Sequence, residues 1–277
     1  MITGRSRLLR VALGAVGLLV TTLATTSADD EVFDLIVEMS SPAALRLGTN
    51  VAFTYSYETD LPDGIRVYTH TLSGGSQPPV TGSGGANTHP QGSGTGAGFF
   101  TIPEVSPDPE VLVDALRLLV TNHDSSVTLC QVITPVFFHF NEHLDLTNIT
   151  FDPESPAALV YGERVNLTYD YDSDVPEGIR IFPRPVTNGS LTPNYAASGS
   201  AAYVGSGSID AFFTITGPPT QTARRGGTVE VDHVRFILQR GGTNESLTTF
   251  DAPVTYFFDA GTPIVMRSWG EIKSAYR

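Results

Sequence analysis

The sequence predicts an all-β chain built as two tandem β-sandwich domains. Three observations carry that reading. A long stretch recurs at a fixed offset, its apolar residues alternate with a period of two, and Gly and Pro interrupt the chain often enough for many reversals. Hydrophobic residues make up 40 % of the 277 and charged residues 16 %, with 27 Gly and 19 Pro. That balance favours a folded, strand-rich protein over a disordered one, and the Gly and Pro supply turns.

The repeat is the strongest signal. Ser41-Pro42-Ala43-Ala44-Leu45 returns as Ser155-Pro156-Ala157-Ala158-Leu159, and residues 41–66 align with 155–180 without a gap, fifteen of 26 positions being identical. Phe99-Phe100-Thr101-Ile102 then matches Phe212-Phe213-Thr214-Ile215, and Val113-Asp114-Ala115-Leu116-Arg117 matches Val231-Asp232-His233-Val234-Arg235. Each unit is long enough to fold alone, which separates this pattern from a solenoid. The expected organisation is a leader at 1–28, a sandwich at 29–140, a second at 144–259, and a tail at 260–277. Asn141-Glu142-His143 is a linker short enough to restrict the relative orientation of the units.

Within the units, Val51, Phe53, Tyr55 and Tyr57, and again Val165, Leu167, Tyr169 and Tyr171, alternate with polar residues, as in a strand with one buried face. Further strands are expected at 32–39, 65–71, 98–102, 111–121 and 126–140, the last broken or bulged near Pro135, which cannot donate to a ladder. Leu61-Pro62-Asp63-Gly64 and Val175-Pro176-Glu177-Gly178 read as turns, with Asp60 and Asp174 expected to bond the backbone there. The Gly/Ser-rich stretches 73–98 and 187–208 read as long loops with one short edge strand. Six to seven short strands per unit give an immunoglobulin-like or fibronectin-III-like architecture, though neither unit has the cystine and core Trp of antibody domains. The stretches Gly178-Ile179-Arg180-Ile181-Phe182, 187–200, Phe212-Phe213-Thr214-Ile215 and Val231-Asp232-His233-Val234-Arg235-Phe236 resemble the tandem sandwich modules of secreted bacterial surface proteins. That resemblance implies the fold and export, and no catalytic residues.

Arg5, Arg7 and Arg10 precede an apolar run, Val11 to Ala24, and the small residues Thr25-Thr26-Ser27-Ala28. This is the pattern of a secretory signal, and the run is too short to span a bilayer. Cleavage after Ala28 removes three Arg and no acid from a chain already at −13. So acidic a surface disfavours nucleic acid and anionic membrane as partners. One cysteine, Cys130, excludes an internal disulfide and reads as a small buried hydrophobe.

The chemistry-bearing motifs are few. No G-x-S-x-G elbow, phosphate loop or H-E-x-x-H occurs. Asp170, Asp172 and Asp174 offer alternate oxygens at a strand end, a possible Ca²⁺ site that lacks the Gly and Glu of an EF-hand; no other cofactor is implied. The recurring Arg66/Arg180 and Arg117/Arg235 read as ion-paired or stacked on sheet faces. In the tail, Met266, Trp269, Ile272 and Tyr276 fall on one face of a short helix, with Trp269, Ile272 and Tyr276 as a sorting or docking face. The functional expectation is a secreted or cell-surface, non-catalytic structural or adhesion-type protein with an extracellular protein or glycan ligand. A carbohydrate- or Ca²⁺-dependent binding module is the alternative.

Overall fold

The structure is a computed structural model that describes residues 30–78, 81–84, 87–106, 108–218 and 227–260. The expected signal segment lies outside these residues, as does the tail with Trp269, Ile272 and Tyr276. Among the described residues all regular structure is β. The first half contains β1 (Glu31–Val37), β2 (Ala43–Arg46), β3 (Val51–Thr59), β4 (Ile65–Leu72), β5 (Gly82–Ser83), β6 (Asn87–His89), β7 (Gly92–Thr101), β8 (Val111–Asn122) and β9 (Thr128–Asn141). The second contains β10 (Leu144–Asp152), β11 (Ala157–Val160), β12 (Arg164–Ser173), β13 (Ile179–Thr187), β14 (Ser190–Leu191), β15 (Tyr195–Ala197), β16 (Gly205–Ile215), β17 (Val229–Arg240) and β18 (Ser246–Asp259).

The halves share one plan. In the first, β1-β3-β7-β5 faces β2-β9-β8-β4-β6; in the second, β15-β16-β12-β10 faces β11-β18-β17-β13-β14. The short strands β2 and β11 pair in parallel with β9 and β18, while their neighbours pair antiparallel. These are two immunoglobulin-like sandwiches. The alternation does the work anticipated for it: Val51, Phe53, Tyr55 and Tyr57 are buried in one core, and Val165, Leu167, Tyr169 and Tyr171 in another. The repeated Ser-Pro-Ala-Ala-Leu starts the parallel strand in each half. Ser41 Oγ accepts the Phe137 N–H at 2.7 Å and Ser155 Oγ the Thr255 N–H at 2.7 Å.

The sandwiches are joined by more than a linker. Ala44 of β2 pairs with Leu146 of β10, so β15-β16-β12-β10-β2-β9-β8-β4-β6 is one nine-stranded sheet. Successive side chains on a strand point to opposite faces. Ala43 and Leu45 therefore enter the first core while Ala44 enters the second, each fully buried. The two cores lie on opposite faces of the shared sheet.

Two expectations are corrected and one is met. Residues 92–98 are not a loop entry: β7 begins at Gly92 and pairs fully with β3, Gly94 opposite Tyr57, Gly96 opposite Tyr55 and Gly98 opposite Phe53. The missing side chains leave room for the rings of β3, since a Cβ at Gly94 would stand 2.8 Å from the Tyr57 hydroxyl. The bulge expected near Pro135 is present: Val113 pairs with Phe138 and Ala115 with Pro135, so Val136 and Phe137 of β9 oppose Asp114 alone, and β9 continues to Asn141. At the two turns the side-chain acceptors are Thr59 Oγ1 for the Leu61 N–H and Ser173 Oγ for the Val175 N–H, not Asp60 or Asp174. The turns themselves form as read, with Gly64 donating to Leu61 O and Gly178 to Val175 O, both Gly at positive φ.

The open side of the first sandwich is closed by β6, whose His89 is buried, stacks on Tyr57 and meets the Tyr55 hydroxyl at 2.8 Å. Burial holds His89 below the usual His range, and does the same, as the largest cause, for His70 and His139. These groups stay neutral in the fold but protonate once unfolded, so the unfolded chain binds more protons below about pH 6.5. Stability is expected to be level above pH 7 and to fall as pH drops through about 6.5. Thermal melts from pH 8 to 5 check this, and His89→Gln should make the fall shallower.

Candidate functional site

The junction between the sandwiches is built around Arg46, the last residue of β2. Its N–H donates to Asp145 Oδ1 at 2.7 Å, its Nε to Asp145 Oδ2 at 2.8 Å, and its Nη2 to Asp172 Oδ2 at 2.9 Å. The β2–β9 and β2–β10 pairings deliver Arg46 to this place, and the β10–β12 register sets Asp145 opposite Asp172. Partial burial opposes the guanidinium charge, but Asp145, Asp172 and Asp174 outweigh it and raise the Arg46 pKa. Beside this clamp lies an open cavity of about 550 Å³ lined by Arg46, Leu47, Gly48, Thr49, Glu104, Glu142 and Asp174.

The three acids singled out in the sequence divide: Asp172 and Asp174 act on Arg46, while Asp170 is held apart from it by other partners. Asp172 holds Arg46, and Asp170 accepts the Asn148 amide at 2.8 Å. Hydrogen bonds from Asn148 and then Ser208 hold the Asp170 carboxyl below its ordinary range. Asp174 is exposed at the cavity rim. Among the described residues no group of three or more His, Cys, Asp or Glu side chains is placed to hold a metal.

Behind the clamp, Asn141 is 1 % exposed and makes four hydrogen bonds. Its amide nitrogen donates to Leu45 O at 3.1 Å and Leu144 O at 2.9 Å; its oxygen accepts from the N–H of His143 at 2.9 Å and Leu144 at 3.0 Å. One side chain ties β2, β9, the linker and β10 together. The sequence marks Asn141 only as part of the linker and does not show that Arg46, Asp145 and Asn141 together hold the junction. The repeat could not mark them, because their counterparts are Val160, Glu31 and Asp259.

The recurrent arginines divide. Arg235 forms a two-point ion pair with Asp251, at 2.7 and 2.6 Å, and Arg180 bonds Asn244. Their counterparts Arg117 and Arg66 have no carboxylate partner among the described residues; the Nε atoms of Arg117, Arg66 and also Arg180 are buried without a hydrogen bond. Cys130 is half-buried against the first core, and burial pushes its thiol up.

Fold and junction together define a class: an all-β protein of two immunoglobulin-like sandwiches locked through a shared sheet. No protein-family model matches the chain, and no curated protein matches it. Similar solved structures include three that contain chaperones. The E. coli chaperone DraB is 12 % identical, with 80 % of this chain and 99 % of that one covered and a TM-score of 0.26. The Salmonella enterica SafA pilin in complex with the SafB chaperone gives 9 %, 83 %, 99 % and 0.27 in the same order. The YadV chaperone gives 7 %, 79 %, 100 % and 0.25. Likeness at these TM-scores leaves function to be argued from the chain's own residues. Among the described residues, no helix is long and apolar enough to cross a membrane.

Proposed function

We propose that the chain is an exported, non-catalytic structural or adhesion-type protein, its units at 29–140 and 144–259 acting as one rigid pair that presents sheet faces and loops to an extracellular partner. The observation that carries this reading is the strand β2, which belongs to both sandwiches at once and places the Arg46 clamp and Asn141 between them. Inter-domain contacts within a chain are often loose enough for relative motion. A shared sheet, two cores fed from one strand and a buried four-bond Asn oppose that motion, as suits a spacer or a presenting scaffold. Function on sandwich folds resides in the sites they carry.

The Arg46 guanidinium, already set among Asp145, Asp172 and Asp174, supports a role for these acids in holding the junction, in place of Ca²⁺. Millimolar Ca²⁺ is therefore expected to leave the melting temperature unchanged. A rise of several degrees would favour the Ca²⁺-dependent alternative. The wider test is fractionation of cells expressing the full chain, followed by arrays of extracellular proteins and glycans with and without Ca²⁺. Export of the mature chain and Ca²⁺-independent capture are expected; retention in the cytoplasm would overturn the reading.

A further inference from the structure

The outer face of β4, β8 and β9 in the first sandwich carries two arginines without a carboxylate partner among the described residues, in an acidic chain. Arg66, Tyr68 and His70 alternate along β4, away from the core, and the register sets His70 beside Arg117 and Arg117 beside Ile133. Arg66 Nε, Arg117 Nε and His70 Nδ1 are all buried atoms without a hydrogen-bond partner. Arg180 Nε in the second sandwich is buried and unpaired as well, so what sets this face apart is Arg117, whose guanidinium has no carboxylate partner among the described residues while its counterpart Arg235 has one. Burial and the Arg117 charge hold His70 low, leaving the two guanidiniums as the charges of the face. Asp114 of β8 accepts the Gly74 N–H at 2.6 Å, and among the described residues no carboxylate pairs with Arg66 or Arg117.

The second sandwich shows what is missing. The same register sets Arg184 beside Arg235 and Arg235 beside Asp251. There Asp251 grips Arg235 at two points, and Arg184 bonds the carbonyls of Pro183 and Ser198. In the first sandwich the position of Asp251 is held by Ile133, 43 % exposed. One repeat satisfies its arginine internally; the other presents it beside an exposed apolar side chain. Further along β9 the face ends against the second sandwich, with Phe137 and His139 at 5.9 and 6.0 Å from Phe250. The face is thus the floor of a corner between the sandwiches.

The geometry points to this face as a docking surface for a protein partner that presents carboxylates next to apolar side chains, an Asp or Glu taking on Arg117 the place Asp251 takes on Arg235. Charge complementarity selects the acid, since charge-assisted two-point Arg–carboxylate bonds are strong and directional. Exposed Ile133, with Leu119 and Tyr68 half-buried beside it, selects an apolar neighbour over a purely anionic glycan. The proposal deepens the adhesion-type reading by naming the partner's chemistry. Its failure would leave export and the rigid junction untouched.

The test uses the full chain and a fluorescent peptide alternating Glu and Leu, with a Gln–Leu peptide, sulfated dextran and sedimentation of the protein alone as comparisons. The Glu peptide is expected to bind about tenfold or more tightly than the Gln peptide, a difference that raised salt reduces. Arg66→Gln/Arg117→Gln should lose that margin, and Arg180→Gln in the second sandwich should keep it. Ile133→Asp, which copies Asp251, should satisfy Arg117 internally, abolish peptide binding and raise the melting temperature. Circular dichroism shows which variants fold. Equal binding of the two peptides, unchanged binding by the double variant or by Ile133→Asp, binding of sulfated dextran alone, or self-association through this face would each overturn the proposal.

Discussion

Gly96→Val is expected to destabilise the first sandwich by about 3 kcal/mol, although it replaces a poor strand former with a good one. Local preference predicts the opposite sign, because Val is favoured in strands and Gly is depleted. Packing decides. Gly96 lies opposite Tyr55, a ring 1 % exposed, and a Cβ at Gly96 would overlap that ring. The ring cannot swing away: its hydroxyl meets His89 Nε2 at 2.8 Å, and Phe53 and His89 flank it. Overpacking a tight core costs on the order of 1–3 kcal/mol, occasionally more, and a β-branched residue against a fixed ring belongs at the upper end. At about 2–4 °C per kcal/mol for a pair of sandwiches that melt together, the melting temperature should fall by roughly 6–12 °C. Gly207→Ala in the second sandwich is the control. Its Cβ would meet the edge of Tyr171 at 3.1 Å, where a small shift suffices, so the expected cost is below about 1 kcal/mol. Urea melts of both variants check the pair; a stabilised Gly96→Val would show that β3 and β7 do not pack this way.

The same glycines show where the sequence was legible and where it was not. The period of two in Val51–Tyr57 and Val165–Tyr171 reports which side chains are buried, because burial of one sheet face is what creates the pattern. It predicts both sandwiches correctly. Residues 92–98 carry no such pattern, since their inward positions are empty so that the partner strand's rings can fill them. A strand whose side chains are supplied by its neighbour looks like a loop when read alone. The turns differ from their sequence pattern in a smaller way. Thr59 and Ser173 provide the hydroxyl acceptors, one residue before the acids that drew notice. The junction was legible only as a short linker. Duplication reveals what two units have in common, and a joint between them is made from what they do not share. Arg46, Asp145 and Asn141 occur at the one place where the end of the first unit meets the start of the second. The division of the arginines has the same origin: the repeat marks Arg117 and Arg235 as equivalent, while the difference between Ile133 and Asp251 sets their roles apart.

Asn141→Ala is expected to be the most damaging polar substitution at the joint. It orphans four groups at once: the carbonyls of Leu45 and Leu144 and the N–H groups of His143 and Leu144. Each buried polar group left unpaired costs about 1–3 kcal/mol, and water entering the gap recovers part of the loss, so a total of about 3–4 kcal/mol is reasonable. The expected consequence is specific as well as large. Asn141 joins β2 and β9 of one sandwich to β10 of the other, and its own carbonyl accepts the Leu47 N–H at 2.7 Å. Its removal should loosen the coupling between the cores, so that calorimetry resolves two transitions where one is expected for the parent chain. Asn141→Asp separates hydrogen bonding from shape. The acid keeps both acceptor contacts but, when ionised, loses both donors and sets a negative charge against two carbonyl oxygens. Repulsion from those oxygens favours its protonated form, which restores one donor. Relative to the parent at each pH, Asn141→Asp should therefore be nearly as unstable as Asn141→Ala at pH 7 and partly recovered at pH 5. A loss of under about 0.5 kcal/mol for Asn141→Ala, the level of an ordinary surface change, would mean that the shared sheet holds the sandwiches together without this residue.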